Sequence, residues 1–351
     1  MATLAVRTQT RNGAGNGTYL NRLQDRRASF YLNRPPTFSG TLSAESGNAT
    51  SLGVRPGIDE CIILRDGEPL ESVFACTSNQ ITAGADTTRV AIEWQGIASY
   101  LSDAVVLGQA SAYSSTTLPW TWINTFQTRT GGSVYGITAG TTTGTALTRQ
   151  ATVDQDACLL DKIIELSESS TGFDWAISPN RGLDLWYPKR GNSNSLVFEY
   201  GVNVTNYSYT ESAGPGEIVS DVRVIGPPGT SVVTATSATA QATYGRREAS
   251  ASFFADFEAA GVSNSQLQAH ADRIIADRIA PIIVPSLTLR TVSGVGHASI
   301  PWGSYWLGDT VRFRATVGSF GVIDASYRIV AIHVEWDEND NESISVEVNA
   351  A

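Results

Sequence analysis

Gly57–Leu101 reads GIDECIILRDGEPLESVFACTSNQITAGADTTRVAIEWQGIASYL. Its punctuation makes it strand, tight turn, strand, loop, strand and a short closing segment. Cys61–Leu64 is an apolar run, and Arg65-Asp66-Gly67-Glu68 supplies the Asp-Gly turn that joins two antiparallel strands. Val90–Trp94 gives a third strand, ended by Gly96. A looser version of the unit returns near the C-terminus, in Trp306–Arg314, Ser326–Trp336 and Ser343–Val348. The reading is a β-dominated α+β chain with one small antiparallel barrel at each end.

Working outward, residues 1–17 are expected to be a flexible arm or loop, and strands at 18–23, 28–32 and 37–43 complete an N-terminal barrel over residues 1–107. From 108 to 199 the character changes to an inserted α/β unit. Trp122, Ile123 and Phe126 share one helical face, Thr152 and Gln155 form a capping box before a second helix, and Gly172–Ser178 with Gly182–Tyr187 reads as a hairpin. Residues 200–351 are expected to form the second barrel, with a Thr/Ser/Ala-rich strand running to Tyr244 and one helix at about 264–279.

Composition bounds the function. The chain has 351 residues, 42% hydrophobic and 17% charged, with 32 glycines, which is a β-rich globular profile and not a disordered one. A net charge of −10 argues against nucleic acid as a main partner, since phosphate binding draws on clustered Lys and Arg. No apolar run approaches a membrane span, and no secretory signal is visible, so synthesis in the cytoplasm is expected. Lys162 and Lys189 are the only lysines among 24 basic residues, an arginine bias that points to a GC-rich source. Cys61, Cys76 and Cys158 are odd in number and lack a CxxC, so free, largely buried thiols are expected.

Candidate chemistry is sparse. Asp174 and Asp184 lie across the expected hairpin beside Trp175 and Trp186, as a glycosidase pair would, but Asp alternating with apolar residues is also the wet face of a half-buried hairpin. Asp337, Asn339 and Asn341 alternate like calcium ligands, yet Glu342 and Val348 stand where an EF-hand needs Gly and Glu, which leaves a polar hairpin tip. His270, His297 and His333 are scattered, and Ser299 has no nucleophile elbow. No catalytic, cofactor or metal residue is assigned. Trp120, Trp122, Trp186 and Tyr187, if exposed, would make a sugar-binding face.

The order of several short landmarks carries a resemblance. Leu32-Asn-Arg-Pro35, Leu64-Arg-Asp-Gly67, Gly172-Phe-Asp-Trp175, Tyr244-Gly-Arg-Arg247, Leu307-Gly-Asp-Thr-Val311 and Tyr327-Arg-Ile-Val330 together span nearly the whole chain. In that order the chain resembles tail hub (minor tail or baseplate hub) proteins of long-tailed bacteriophages, closest to those of actinobacterial phages. The resemblance implies a virion tail-tip protein without enzymatic activity, a homotrimer whose six barrels cap a hexameric tail tube and open for DNA passage. Implied partners are the distal tail or tube ring protein, the tape measure protein and other minor tail or fibre proteins. A receptor- or carbohydrate-binding tail protein is the alternative, and a wall-degrading glycosidase a third.

Overall fold

The structure, a computed structural model of the whole chain, describes residues 4–9, 11, 17–20, 23–43, 54–83, 87–106, 113–114, 117–144, 148–149, 157–168, 172–208, 211–214, 216–226, 232–252, 264–279, 282–283, 286–291, 298–316, 322–337, 339 and 341–350. The opening stretch folds as read. Strands β4 (Glu60–Arg65) and β5 (Glu68–Ala83) are joined at Asp66 and Gly67, whose φ angles of 54° and 85° are those of a two-residue hairpin turn. The run Cys61–Leu64 is uninterrupted because both faces of β4 are covered. Cys61 and Ile63 enter the main core, while Glu60 on the other face meets Tyr100 and Arg181. Alternation does the same for β5, where Val73 and Ala75 face the main core and Phe74 faces the middle of the chain.

With β1 (Leu4–Gln9), β2 (Leu23–Tyr31), β3 (Arg34–Ser43) and β6 (Thr87–Gly96), these strands make the N-terminal half of a 12-stranded sheet in the order β1-β4-β5-β6-β3-β2. Leu4–Gln9, expected in a flexible arm, instead pairs along its length with β4. The middle of the chain supplies α1 (Leu118–Gln127), β7 (Thr138–Thr143), α2 (Leu159–Glu168), β8 (Asp174–Ile177) and β9 (Gly182–Trp186). Its core takes in Leu118, Trp122, Ile123, Leu160, Ile163, Phe173 and Trp175, and also Phe74 and the 3₁₀ segment Ile97–Asp103. β9 pairs antiparallel with β8 and parallel with β7.

The C-terminal half-sheet contains β10 (Ser193–Glu199), β11 (Val204–Ser208), β15 (Ser286–Leu289), β16 (Thr310–Thr316), β17 (Val322–Trp336) and β18 (Glu342–Ala350). Between them lies a lobe in which α4 (Asn264–Arg278) packs Leu267, Ala271 and Ile275 against β12 (Asp221–Ile225), β13 (Val232–Thr236) and β14 (Glu248–Ser252). The expected strand to Tyr244 breaks at Ser237. Its hydroxyl accepts the Ala240 N–H and starts a helix, α3 (Ala238–Tyr244), that returns the chain so that β14 runs parallel to β12.

β17 holds the two halves together. Along one edge Val322–Arg328 pairs with β16 and Ala331–Trp336 pairs with β2; the other edge carries β18. A single hydrophobic core, from Leu4 to Val348, lies across both halves. The chain is thus strand-dominated as expected, but the described pairings join the two halves in one open 12-stranded sheet, beside smaller sheets, and form no closed barrel. The reason is edge occupancy. β2 gives one edge to β3 and the other to β17, so among the described residues the edge of β1 that β4 leaves open is met by Thr18–Leu20, through Thr8 N–H to Thr18 O (2.9 Å) and Leu20 N–H to Val6 O (2.8 Å). The C-terminal half is also not wholly antiparallel, because β10 runs parallel to β16.

Candidate functional site

Three regions meet, and each of the three junctions holds an ion pair drawn from distant parts of the sequence. Between the N-terminal half-sheet and the middle, fully buried Glu60 accepts from Arg181, which also donates to Tyr135 O (2.7 Å) from the β8–β9 turn; the Tyr100 hydroxyl donates to Glu60 (3.2 Å). Burial pushes the Glu60 carboxyl up, against the opposing pull of Arg181, and burial likewise raises Tyr100. Between the two half-sheets, Arg65 clamps Glu342 with two bonds (3.0 and 2.8 Å) and lies 4.7 Å over the Trp302 ring. Between the middle and the C-terminal half, buried Asp174 accepts from Arg328 and from the Arg190 N–H.

Asp174 is the densest of these nodes. Asn33 donates to it (2.9 Å) and accepts the Trp175 N–H in return (2.8 Å), tying the β2–β3 turn to β8. Arg328 also reaches Gly308 O (3.2 Å) and Arg190 O (3.1 Å). The landmarks Leu32–Pro35, Gly172–Trp175, Leu307–Val311 and Tyr327–Val330 therefore converge on Asp174 and its partner Arg328, and Leu64–Gly67 supplies the Arg65 clamp on Glu342. The sixth landmark, Tyr244–Arg247, is local to the lobe, where Arg247 N–H bonds Ser220 (2.8 Å) and its guanidinium bonds Ala213 O (2.8 Å).

The other sequence candidates have ordinary partners. Asp174 stands opposite Trp186 and Asp184 opposite Ala176, so the two carboxylates are offset along the hairpin, and Asp184 accepts the Thr141 N–H (2.6 Å). Asp337 accepts two N–H groups, from Asn339 and Asn341 (2.8 Å each), plus the Asn341 amide (2.8 Å), and this polar tip holds its carboxyl below the usual range. Among the described residues no group of three His, Cys, Asp or Glu could hold a metal. His333 bridges Ser29 (2.8 Å) and Glu347 (3.1 Å), while His270 on α4 is held down by burial and by Arg273. His297 lies outside the described residues. Of the four aromatics that would make a sugar-binding face if exposed, Trp122 is buried, Trp120 and Tyr187 pack on the middle core, and Trp186 lies under the Arg190 guanidinium (4.3 Å). All three cysteines are free, and burial pushes the Cys61 thiol up to about 12. Among the described residues no helix is long and apolar enough to cross a membrane.

Neither a family model nor a curated protein matches the sequence. Solved structures do match, end to end. A tail protein from Neisseria meningitidis superposes with a TM-score of 0.70 at 10% identity, covering 99% of this chain and 96% of its own. The chain has the fold of bacteriophage tail proteins. A 43 kDa tail protein of prophage MuSo2 from Shewanella oneidensis gives 0.67 at 10% identity, covering 100% and 98%. A type VI secretion component from E. coli, described as structurally similar to bacteriophage T4 tail proteins, gives 0.56 at 8% identity, covering 99% and 77%.

Proposed function

We propose that this chain is a structural hub of a phage tail tip: a homotrimer that caps a hexameric tail tube, joins it to the central tip proteins and opens for DNA passage. The observation that carries the reading is the pairing of two half-sheets along β2 and β17 over one shared core. A chain that fixes two β units rigidly can offer two docking surfaces, so three copies match six tube subunits. The end-to-end likeness to phage tail proteins supports the same reading. The assembly units are residues 1–107, 108–199 and 200–351. Partners on this reading are the chain itself, the tube or distal tail ring, the tape measure and other minor tail or fibre proteins. Only the arginine bias favours an actinobacterial host. The role is non-enzymatic, which accords with Asp174 and Asp184 being held by structural partners. Reconstruction of the virion tail tip should show three copies on the tail axis, with both half-sheets of each touching the tube ring. Six copies would favour a tube-like ring, and a monomer outside the axis would sink the hub.

A further inference from the structure

The three regions enclose a cavity of about 130 Å³ in which five aromatic side chains meet: Phe30 and Tyr31 from β2, Trp175 from β8, Trp186 from β9, and Trp306 from the loop before β16. The Phe30 and Trp306 rings lie against each other, with centroids 5.6 Å apart. Trp175 is buried, whereas Arg34 in the same wall is exposed, so the cavity runs inward from the start of β3.

Polar groups in this wall keep unused bonding capacity. The Trp175 Nε1–H is buried and finds no acceptor among the described residues. The Arg190 guanidinium lies 4.3 Å over the Trp186 ring, and among the described residues it makes no hydrogen bond; only its backbone N–H and O are engaged, by Asp174 and Arg328. Asp184 accepts the Thr141 N–H through one carboxylate oxygen (2.6 Å), which leaves the other. Charge is balanced, since Arg34 and Arg190 share the wall with Glu71 and Asp184, and the cavity therefore favours neither an anion nor a cation.

Size narrows the choice of ligand. A cavity of about 150 Å³ takes one benzene, so this one has room for a single six-membered ring. Aromatic faces carry partial negative charge and attract C–H groups, while the free N–H donors need oxygen acceptors. A neutral six-membered ring with C–H faces and oxygens around its rim is a pyranose.

We propose that the cavity is a saccharide site holding one pyranose unit, with the ring against the tryptophans, Trp175 and Arg190 donating to its oxygens and Asp184 accepting from a hydroxyl. One copy of the chain supplies every group, so the site does not depend on the trimer.

Titration of the full-length protein with the methyl pyranosides of glucose, galactose, mannose, rhamnose and N-acetylglucosamine, followed by the eight tryptophan indole N–H signals in NMR, tests this. At least one should bind at about 1 mM, an affinity within reach of so small a ligand. It should move the signals of Trp175, Trp186 and Trp306 and leave Trp94 and Trp336 in place. Arg190→Met, which keeps an apolar stem on Trp186, and Trp175→Phe, which keeps an aromatic ring, should each weaken binding about tenfold; Arg246→Met in the lobe should not. Should both cavity variants fold poorly, the indole shifts of the unsubstituted protein decide. Binding of a disaccharide that ends in the same unit marks a glycan terminus as the ligand, and its exclusion marks a free sugar; either supports the site. No binding by any pyranoside, shifts confined to other indoles, or tighter binding of cyclohexanol than of every pyranoside would overturn it.

Discussion

At the scale of the residue, the molecule spends its buried charge on joints. Removing one partner of a buried pair strands the other without water or counter-charge, whereas replacing both with neutral groups is mild. Arg328→Ala should therefore destabilise by about 3–5 kcal/mol in urea unfolding, while the double substitution Asp174→Asn with Arg328→Met recovers most of the loss. Additive effects in that cycle would mean the pair is not coupled. Thiol chemistry offers a second test. Cys61 is fully buried in the main core with its pKa pushed up to about 12, while Cys76 and Cys158 are half-buried. A thiol reagent at pH 8 should leave Cys61 unmodified in the folded protein and reach it only after denaturation. The sequence singled out Asp174 only as one of two hairpin carboxylates, and Asn33 and Arg328 only as members of landmarks; none was read as a partner of the others. A carboxylate's partner more than a hundred residues away leaves no local pattern.

At the scale of the element, the same substitution separates two roles of glycine. Gly67 needs its positive φ, and a Cβ there would meet open space, so Gly67→Ala should cost only backbone strain, about 1–2 kcal/mol. Gly96 has no such φ, but a Cβ would come within 2.5 Å of the Pro36 ring, so Gly96→Ala should cost about 1–3 kcal/mol through overpacking. Thermal unfolding of both variants reads the difference, and a second change, Pro36→Ala, should rescue only the Gly96 variant. Gly191–Asn194 has the composition of a linker, yet it is stitched down. Asn192 N–H bonds Asp309 (3.0 Å), the Thr310 N–H bonds Asn192 O (3.0 Å), and the Asn194 amide bonds Ser304 O (2.7 Å). Limited proteolysis should spare this stretch; early cleavage there would show that those bonds do not hold it.

At the scale of the whole molecule, the core of the middle region takes in side chains from outside residues 108–199. Phe74, Ile97, Tyr100 and Leu101 are buried in the core it builds. A chain lacking residues 108–199 would expose them, a loss on the order of 6–12 kcal/mol at about 1.5–3 kcal/mol per side chain, which is comparable to the stability of a whole domain. That shortened chain should aggregate or stay unfolded, and a soluble product with a cooperative transition would contradict the shared core. Excess chelator should leave the melting temperature of the intact protein unchanged, because no metal-ligand cluster exists among the described residues; a large drop would reveal a site.

The sequence by itself determined what local chemistry can determine. Asp66-Gly67 fixed a hairpin, the apolar runs of β4 and β17 fixed strands, and helical spacing put Leu267, Ala271 and either Ile274 or Ile275 on the stripe of α4, of which the fold buries Leu267, Ala271 and Ile275 most deeply. Where two local signals competed, at Ser237, the cap won over β propensity and the chain turned into a helix. Only the tertiary structure decided which edge of β2 meets which strand, and with it the joining of two expected barrels into one sheet. A strand's sequence encodes the two faces of its side chains, but its edges are backbone amides and carbonyls that are the same for nearly every residue. Partner choice at an edge is therefore settled by burial across the whole molecule, and so are the pairings of Glu60, Arg65 and Asp174 that depend on it.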